Sequence, residues 1–169
     1  MAHYSFNSLL DRWKNRIYGV WGDTSLRDHM LRSQVNYVDW DLTAAQMDAL
    51  NATPVTLLAA PGSGYMNIVH GGVTFIDAGA TAFELGAGVL SFLYTDASGA
   101  KTMTDVPNTT VESATDTYYR SVGLAVVPVS NAPIVAFASA DVTAGDGALY
   151  GRIFYSTIYL NDLTFTNYV

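Results

Sequence analysis

The sequence predicts an all-β fold, an antiparallel β-sandwich, preceded by an N-terminal α-helical arm. Three observations carry that reading. From Val35 onward apolar and polar residues alternate with a period of two, and clusters of turn-forming residues interrupt the alternation at short intervals. Ahead of residue 35 the apolar period is that of a helix instead. The chain therefore divides into an arm, residues 1–35, and a sandwich body, residues 36–169.

In the arm, Phe6, Leu9, Leu10, Trp13, Ile17, Val20 and Trp21 recur at helical spacings, which places one apolar stripe along a helix of about four turns. Ser5 supplies the cap, because its hydroxyl can accept an orphan backbone N–H of the first turn. Gly19 and Gly22 blur where this helix ends, and a second short helix follows with Asp23 as its cap and Leu26 stacked on Met30. The stripe has two readings. It packs on the chain's own body, or it packs on a neighbouring subunit or larger assembly, and then Phe6, Leu9, Trp13, Ile17, Val20 and Trp21 are the candidate contact residues.

The body opens with "NYVDWDL", in which Val38, Trp40 and Leu42 point one way while Tyr37, Asp39 and Asp41 point the other. In the next stretch Thr43 and Gln46 form a capping box, so a two-turn helix follows, with Asn51 as its stop. Strands are then expected at 55–60, 65–70, 72–78, 89–95, 101–104, 118–128, 133–140 and 149–160. Turn signals separate them: "PGSG" at 61–64, "DAGA" at 77–80, "DASGA" at 96–100, "SNAP" at 130–133 and "AGDG" at 144–147. Gly71 and Gly72 sit inside a strand pattern whose apolar side shifts, which marks a bulge that resets the facing residue. So many short strands with hardly any helix among them close as an antiparallel sandwich or barrel.

Composition excludes several function classes. The 169 residues, half of them apolar, make one ordinary domain able to bury about 70% of its unfolded surface. There is no cysteine, hence no disulfide, thiolate metal site or cysteine nucleophile. The apolar runs are far shorter than the roughly 20 residues that cross a bilayer, and the N-terminus lacks the apolar core of a secretory signal. A soluble chain made in the cytoplasm, with no membrane partner, is expected. Net charge is −7, but Lys101, Arg120 and Arg152 are the only cations beyond residue 38. So acidic a body would repel nucleic acid, which is bound through several phosphate-neutralising cations. The small basic excess of residues 1–38 reads either as a docking arm or as a solvated helix face.

Catalytic signatures are missing. After "PGSG" the chain continues as a strand without the lysine and helix that a phosphate loop requires, and Ser63 lacks the surroundings of a nucleophile elbow. His3, His29 and His70 form no metal-binding pair, and "DVTAGDG" lacks the alternating acids and closing glutamate of a calcium loop. Glu84 and Glu112 are the only glutamates. A non-enzymatic protein with no cofactor and no metal is expected. Both faces of "VLSFLYT", "GLAVVPV" and "RIFYSTIYL" are apolar, and a sandwich core absorbs only one. The other face calls for a homo-oligomer or a docking surface, since apolar burial stabilises by about 25 cal/mol per Å².

Residues 38–160 carry a further pattern. Leu42, Ala44, Leu50, Ala52, Thr53, Pro54, Val55, Leu57, Ala60, Pro61, Gly62 and Gly64 stand at the front. Asn131, Pro133, Ile134, Thr143, Gly145, Gly147, Leu149, Ile153 and Tyr155 stand at the back. This arrangement resembles the small jelly-roll virion structural proteins, the capsid decoration or cement proteins, of tailed bacteriophages. The resemblance implies a jelly-roll body that joins the outside of the head shell and stabilises it, often as a homotrimer, with the major capsid protein and copies of itself as partners. It places the protein on the capsid surface of the virion after synthesis in the host cytoplasm, and the arm's Phe6, Leu9, Trp13, Ile17, Val20 and Trp21 become candidate capsid or subunit contacts. The alternative is a tail or surface-fibre adhesion module that binds host glycan through aromatic and aspartate loops at 77–88, 96–117 and 141–148. A hydrolase on the same fold has no supporting constellation.

Overall fold

A computed structural model describes residues 35–159, all within the chain's second compact unit, Val35–Val169. The arm and its candidate contacts Phe6, Leu9, Trp13, Ile17, Val20 and Trp21 lie outside the described residues.

The described body is an all-β sandwich of eight strands with two short helices. In chain order these are β1 (Asn36–Thr43), α1 (Ala44–Ala49), β2 (Val55–Leu58), β3 (Tyr65–Asp77), β4 (Val89–Tyr94) and β5 (Val106–Pro107). Then come α2 (Asn108–Val111), β6 (Thr117–Val122), β7 (Ile134–Ala138) and β8 (Ala148–Tyr159). The first sheet has the order β1-β8-β3-β6 and the second β2-β7-β4-β5, with every neighbouring pair antiparallel. The pairing is nested: β1 meets β8, β2 meets β7, β3 meets β6 and β4 meets β5.

Local sequence accounts for most of these elements. Alternation in β1 buries Trp40 and Leu42 and leaves Tyr37, Asp39 and Asp41 exposed. The capping box forms: the Gln46 backbone N–H donates to the Thr43 hydroxyl at 3.3 Å, and the Thr43 N–H donates to the Gln46 side chain at 2.9 Å. The helix it starts buries Met47 and closes at Leu50. Asn51, expected as the stop, is the first residue beyond the Leu50 cap, and it donates its side-chain amide to the Ala138 carbonyl at 2.8 Å, which ties α1 to the end of β7.

Two strands expected at 65–70 and 72–78 form one 13-residue strand, β3, and the expected bulge lies inside it. Val69 pairs with Tyr155 and Gly71 with Phe154, so His70 is the extra residue that resets the facing side. Gly71 has φ of 146°, in a region that side chains rarely adopt, and a Cβ there would sit 2.7 Å from the Ser121 carbonyl oxygen.

Three expectations need correction. The strand expected at 118–128 stops at Val122, because the Gly123 N–H donates to His70 at the bulge and the chain then leaves β3. Residues 101–104 are not a full strand: Lys101 bridges to Leu93 and Met103 to Gly123. The Thr102 N–H donates to Phe92 and the Leu124 N–H to Thr102, so this segment connects the two sheets along one flank. The polar stretch 96–117, expected as a loop, holds β5 and α2, where Val106 and Val111 are completely buried. Its larger apolar residues are too few and too widely spaced to show a period, yet Met103, Val106 and Val111 fill the core.

That core lies between the sheets. Trp40 of β1 meets Phe92 of β4 across it, with ring centroids 5.8 Å apart, and Leu42, Ile76, Leu149 and Ile153 face Leu90, Ile134 and Ala136. Gly151 makes room for the indole, since a Cβ there would come within 2.7 Å of it. A polar group closes one end: the Tyr94 hydroxyl donates to the Asn67 carbonyl at 2.7 Å, and the Thr157 hydroxyl donates to the Asn67 side-chain oxygen at 2.8 Å. Burial pushes the Tyr94 phenol above its ordinary pKa.

Candidate interaction face

The two sheets dispose of their outer faces differently. In β4 the core side, Leu90, Phe92 and Tyr94, is buried as alternation demands, but Ser91 and Leu93 on the other side are buried too. The neighbouring segment lies against them: the Ser91 hydroxyl donates to Asp105, Asp105 pairs with Lys101, and Lys101 bridges to Leu93. The first sheet keeps its outer face open. Tyr118 is 73% exposed, Tyr37 57% and Val122 56%, while Tyr150, Val73 and Phe154 are all more than a third exposed.

Register orders this face into three rows that cross all of β1, β8, β3 and β6, beside a shorter one of Thr43, Ala148 and Asp77 that lacks β6. One row is Tyr37, Phe154, Gly71 and Val122. The next is Asp39, Arg152, Val73 and Arg120, and the last is Asp41, Tyr150, Phe75 and Tyr118. Aligned strands bring side chains on one face to about 5 Å from each other, so each row is a contact ladder. Phe75 and Tyr150 stack with centroids 4.9 Å apart and planes 29° from parallel. Arg152 grips Asp39 with two hydrogen bonds, Nε to Oδ1 at 2.7 Å and Nη2 to Oδ2 at 3.0 Å, and its guanidinium lies 4.0 Å from the centroid of the Tyr37 ring.

That fork sets the electrostatics. Hydrogen bonding from Arg152 lowers the Asp39 carboxyl below its ordinary pKa, and the same contact raises Arg152. Arg120 has no ion-pair partner among the described residues. The middle of the face thus has one spent guanidinium and one unspent. A groove of about 380 Å³ runs along it between Asp39, Arg152, Val73, Phe75 and Tyr150. A second hollow of about 220 Å³ lies over Gly71 at the bulge, bordered by His70, Arg120, Val122 and Phe154. His70 itself is engaged, with Nε2 2.8 Å from the Ser156 hydroxyl.

The acids of the loops do other work. Asp146 accepts from the Thr81 N–H at 2.7 Å, Glu112 accepts from the N–H groups of Leu85 and Gly86, and Asp116 accepts from that of Ala78. Asp96 accepts from the backbone and hydroxyl of Ser98, which lowers its pKa. Each carboxylate satisfies backbone donors that a turn leaves unpaired, so these loops are tied by their acids. Among the described residues no group of three metal-ligating side chains converges. The second apolar face of "RIFYSTIYL" points from sequence to an oligomer or docking surface, but its union with β1 and β6 does not, although polar and aromatic residues share the outward positions of "NYVDWD", "TYYRSV" and "YGRIF".

The front and back of the sequence pattern meet in space. The Asn131 side-chain oxygen accepts the Gly62 N–H at 3.0 Å, and the Asn131 N–H donates to the Tyr65 carbonyl at 2.8 Å. Asn131 does so with a positive φ of 50°.

No family model matches the chain, and no curated protein matches it. Among solved structures, a chain described as "Cyanophage Pam1 capsid asymmetric unit" is similar to it, with a TM-score of 0.40 and 18% sequence identity. The similarity covers 73% of this chain and 83% of that one.

Proposed function

We propose that this chain is a virion structural protein of a tailed bacteriophage, a capsid decoration or cement protein that binds the outside of the head shell. Its sandwich is a jelly roll. The nested pairing of eight strands in two four-stranded sheets supports that reading, because a chain folded back on itself as a long double ribbon and wrapped into two sheets generates this order. The protein works without catalysis, as an oligomer, and the resemblance implies three copies around a local three-fold position with the major capsid protein beneath.

The outward face of the first sheet carries the proposal. Its three four-strand rows hold Asp39 and Asp41 against Arg120 and Arg152, so these rows are balanced in charge on a chain of net −7, with Asp77 at their edge, and they are rich in exposed aromatic and aliphatic side chains. Balanced charge and exposed apolar side chains coincide in these rows, which is what a contact surface between virion components needs. The motif pattern adds a second support, since the hydrogen bond from Gly62 to Asn131 joins its two halves. Many such contacts repeated by symmetry hold a shell together without any single one being tight.

Imaging of native particles at side-chain detail tests this. The expected result is this sandwich on the head exterior in regular copy number; particles that lack the chain, or carry it only on the tail, would overturn the reading.

A further inference from the structure

The row pattern of the first sheet has a symmetry of its own. Across the middle row the charges run negative on β1, positive on β8, none on β3 and positive on β6. From this we infer that the face binds a second copy of itself, about a two-fold axis that lies between the sheets, parallel to the strands, midway between β8 and β3. The inference rests on the described register and holds whether or not the chain belongs to a virion.

Such a rotation leaves each row in place and reverses the strand order. β1 then lies over the second copy's β6, and β8 over its β3. Asp39 comes opposite Arg120 of the second copy, twice per dimer, and supplies the unspent guanidinium with a carboxylate. Asp39 has lone pairs left after the Arg152 fork, because an ionised carboxylate accepts at about four sites. Tyr150 comes opposite Phe75, which extends the stack already present within each copy. Phe154 comes opposite Gly71, the one outward position with no side chain, where the hollow of about 220 Å³ lies.

Charge also rejects the other in-plane two-fold. An axis perpendicular to the strands through the middle row would set Arg152 against Arg152, Arg120 against Arg120 and Asp39 against Asp39. Like charges placed directly opposite destabilise a pairing, so the pattern favours one orientation and opposes the other. Within the three rows the two aspartates and two arginines cancel, on a chain whose net charge is −7.

Size sets the strength. Four strands about 4.8 Å apart and three outward positions about 6.7 Å apart cover roughly 400 Å² per copy. That is about half the area a standard interface buries on each partner, so the dimer is weak, micromolar or weaker, and concentration-dependent.

Two measurements on the full chain test this. In sedimentation velocity over a hundredfold dilution series, the wild type is expected to move between monomer and dimer. Arg120→Glu and Tyr118→Glu, both at exposed positions, are each expected to raise the dissociation constant about tenfold or more. In the second measurement, Tyr37→Cys and Val122→Cys proteins are treated with a short bismaleimide; the chain has no native cysteine. A mixture of the two should cross-link, and Tyr37→Cys alone should not, because residue 37 faces residue 122 of the other copy. A monomer at every concentration, a wild-type trimer that both glutamate variants leave intact, or cross-linking of Tyr37→Cys alone would each overturn the two-fold face. A trimer would leave the virion reading standing, and particle imaging tests that reading separately.

Discussion

At the residue scale, Asp39 shows how one side chain joins electrostatics to surface function. Its carboxylate is exposed, yet the two-pronged contact with Arg152 favours the charged form. The lowered pKa fixes the sign of the pH effect. The contribution is present in full above the ordinary aspartate value of 3.8 and is lost as pH falls through the lowered folded value. Carbon-detected NMR titration should therefore give Asp39 a midpoint below 3.8, and Arg152→Met should move that midpoint back up. A midpoint that ignores the substitution would show that the fork does not form in solution. Sequence reading placed Asp39 on an outward position correctly. It could not pair the residue with Arg152, because the two are 113 positions apart and only register makes them neighbours.

Elements show the same division between local chemistry and remote consequence. Thr43 and Gln46 were legible as a capping box because every atom of that motif lies within one turn. The bulge of β3 was legible for the same reason, since two adjacent glycines interrupt a strand pattern where the apolar side shifts. Its effect reaches further: it turns His70 out of register, ends β6 at Val122 and opens the hollow beside Phe154. Gly71→Ala should be costly, because the added Cβ meets the Ser121 carbonyl and the backbone sits at φ of 146°. A loss of about 1–3 kcal/mol in denaturant unfolding is expected, and a loss below about 0.5 kcal/mol would mean that the strand slips to a regular pairing at little expense. The limits of local reading appear at 123–129, where apolar residues suggested a longer strand. Val126 packs on the core while Val127 is 86% exposed, a division made by the crossing to the second sheet and not by alternation.

For the whole molecule, the arm and the body make separable predictions. If the apolar stripe of residues 6–21 provides the shell contact, deleting residues 1–34 should release the protein from particles while the body keeps its cooperative unfolding. Particles that retain the truncated chain at full occupancy would transfer that role to the sandwich. The sequence by itself determined the β class of the body, its turns, the capping box, the bulge and the excess of apolar strand faces. Each depends on residues within a few positions of one another, where steric and hydrogen-bonding preferences act directly. Only the tertiary structure decided which excess face is covered and which stays open. Alternation gives a strand two sides but does not say what lies against either. On β4 the 101–105 segment closes over Ser91 and Leu93, whereas nested pairing brings Asp39, Arg152, Val73 and Arg120, from four separate strands, into one row that remains exposed.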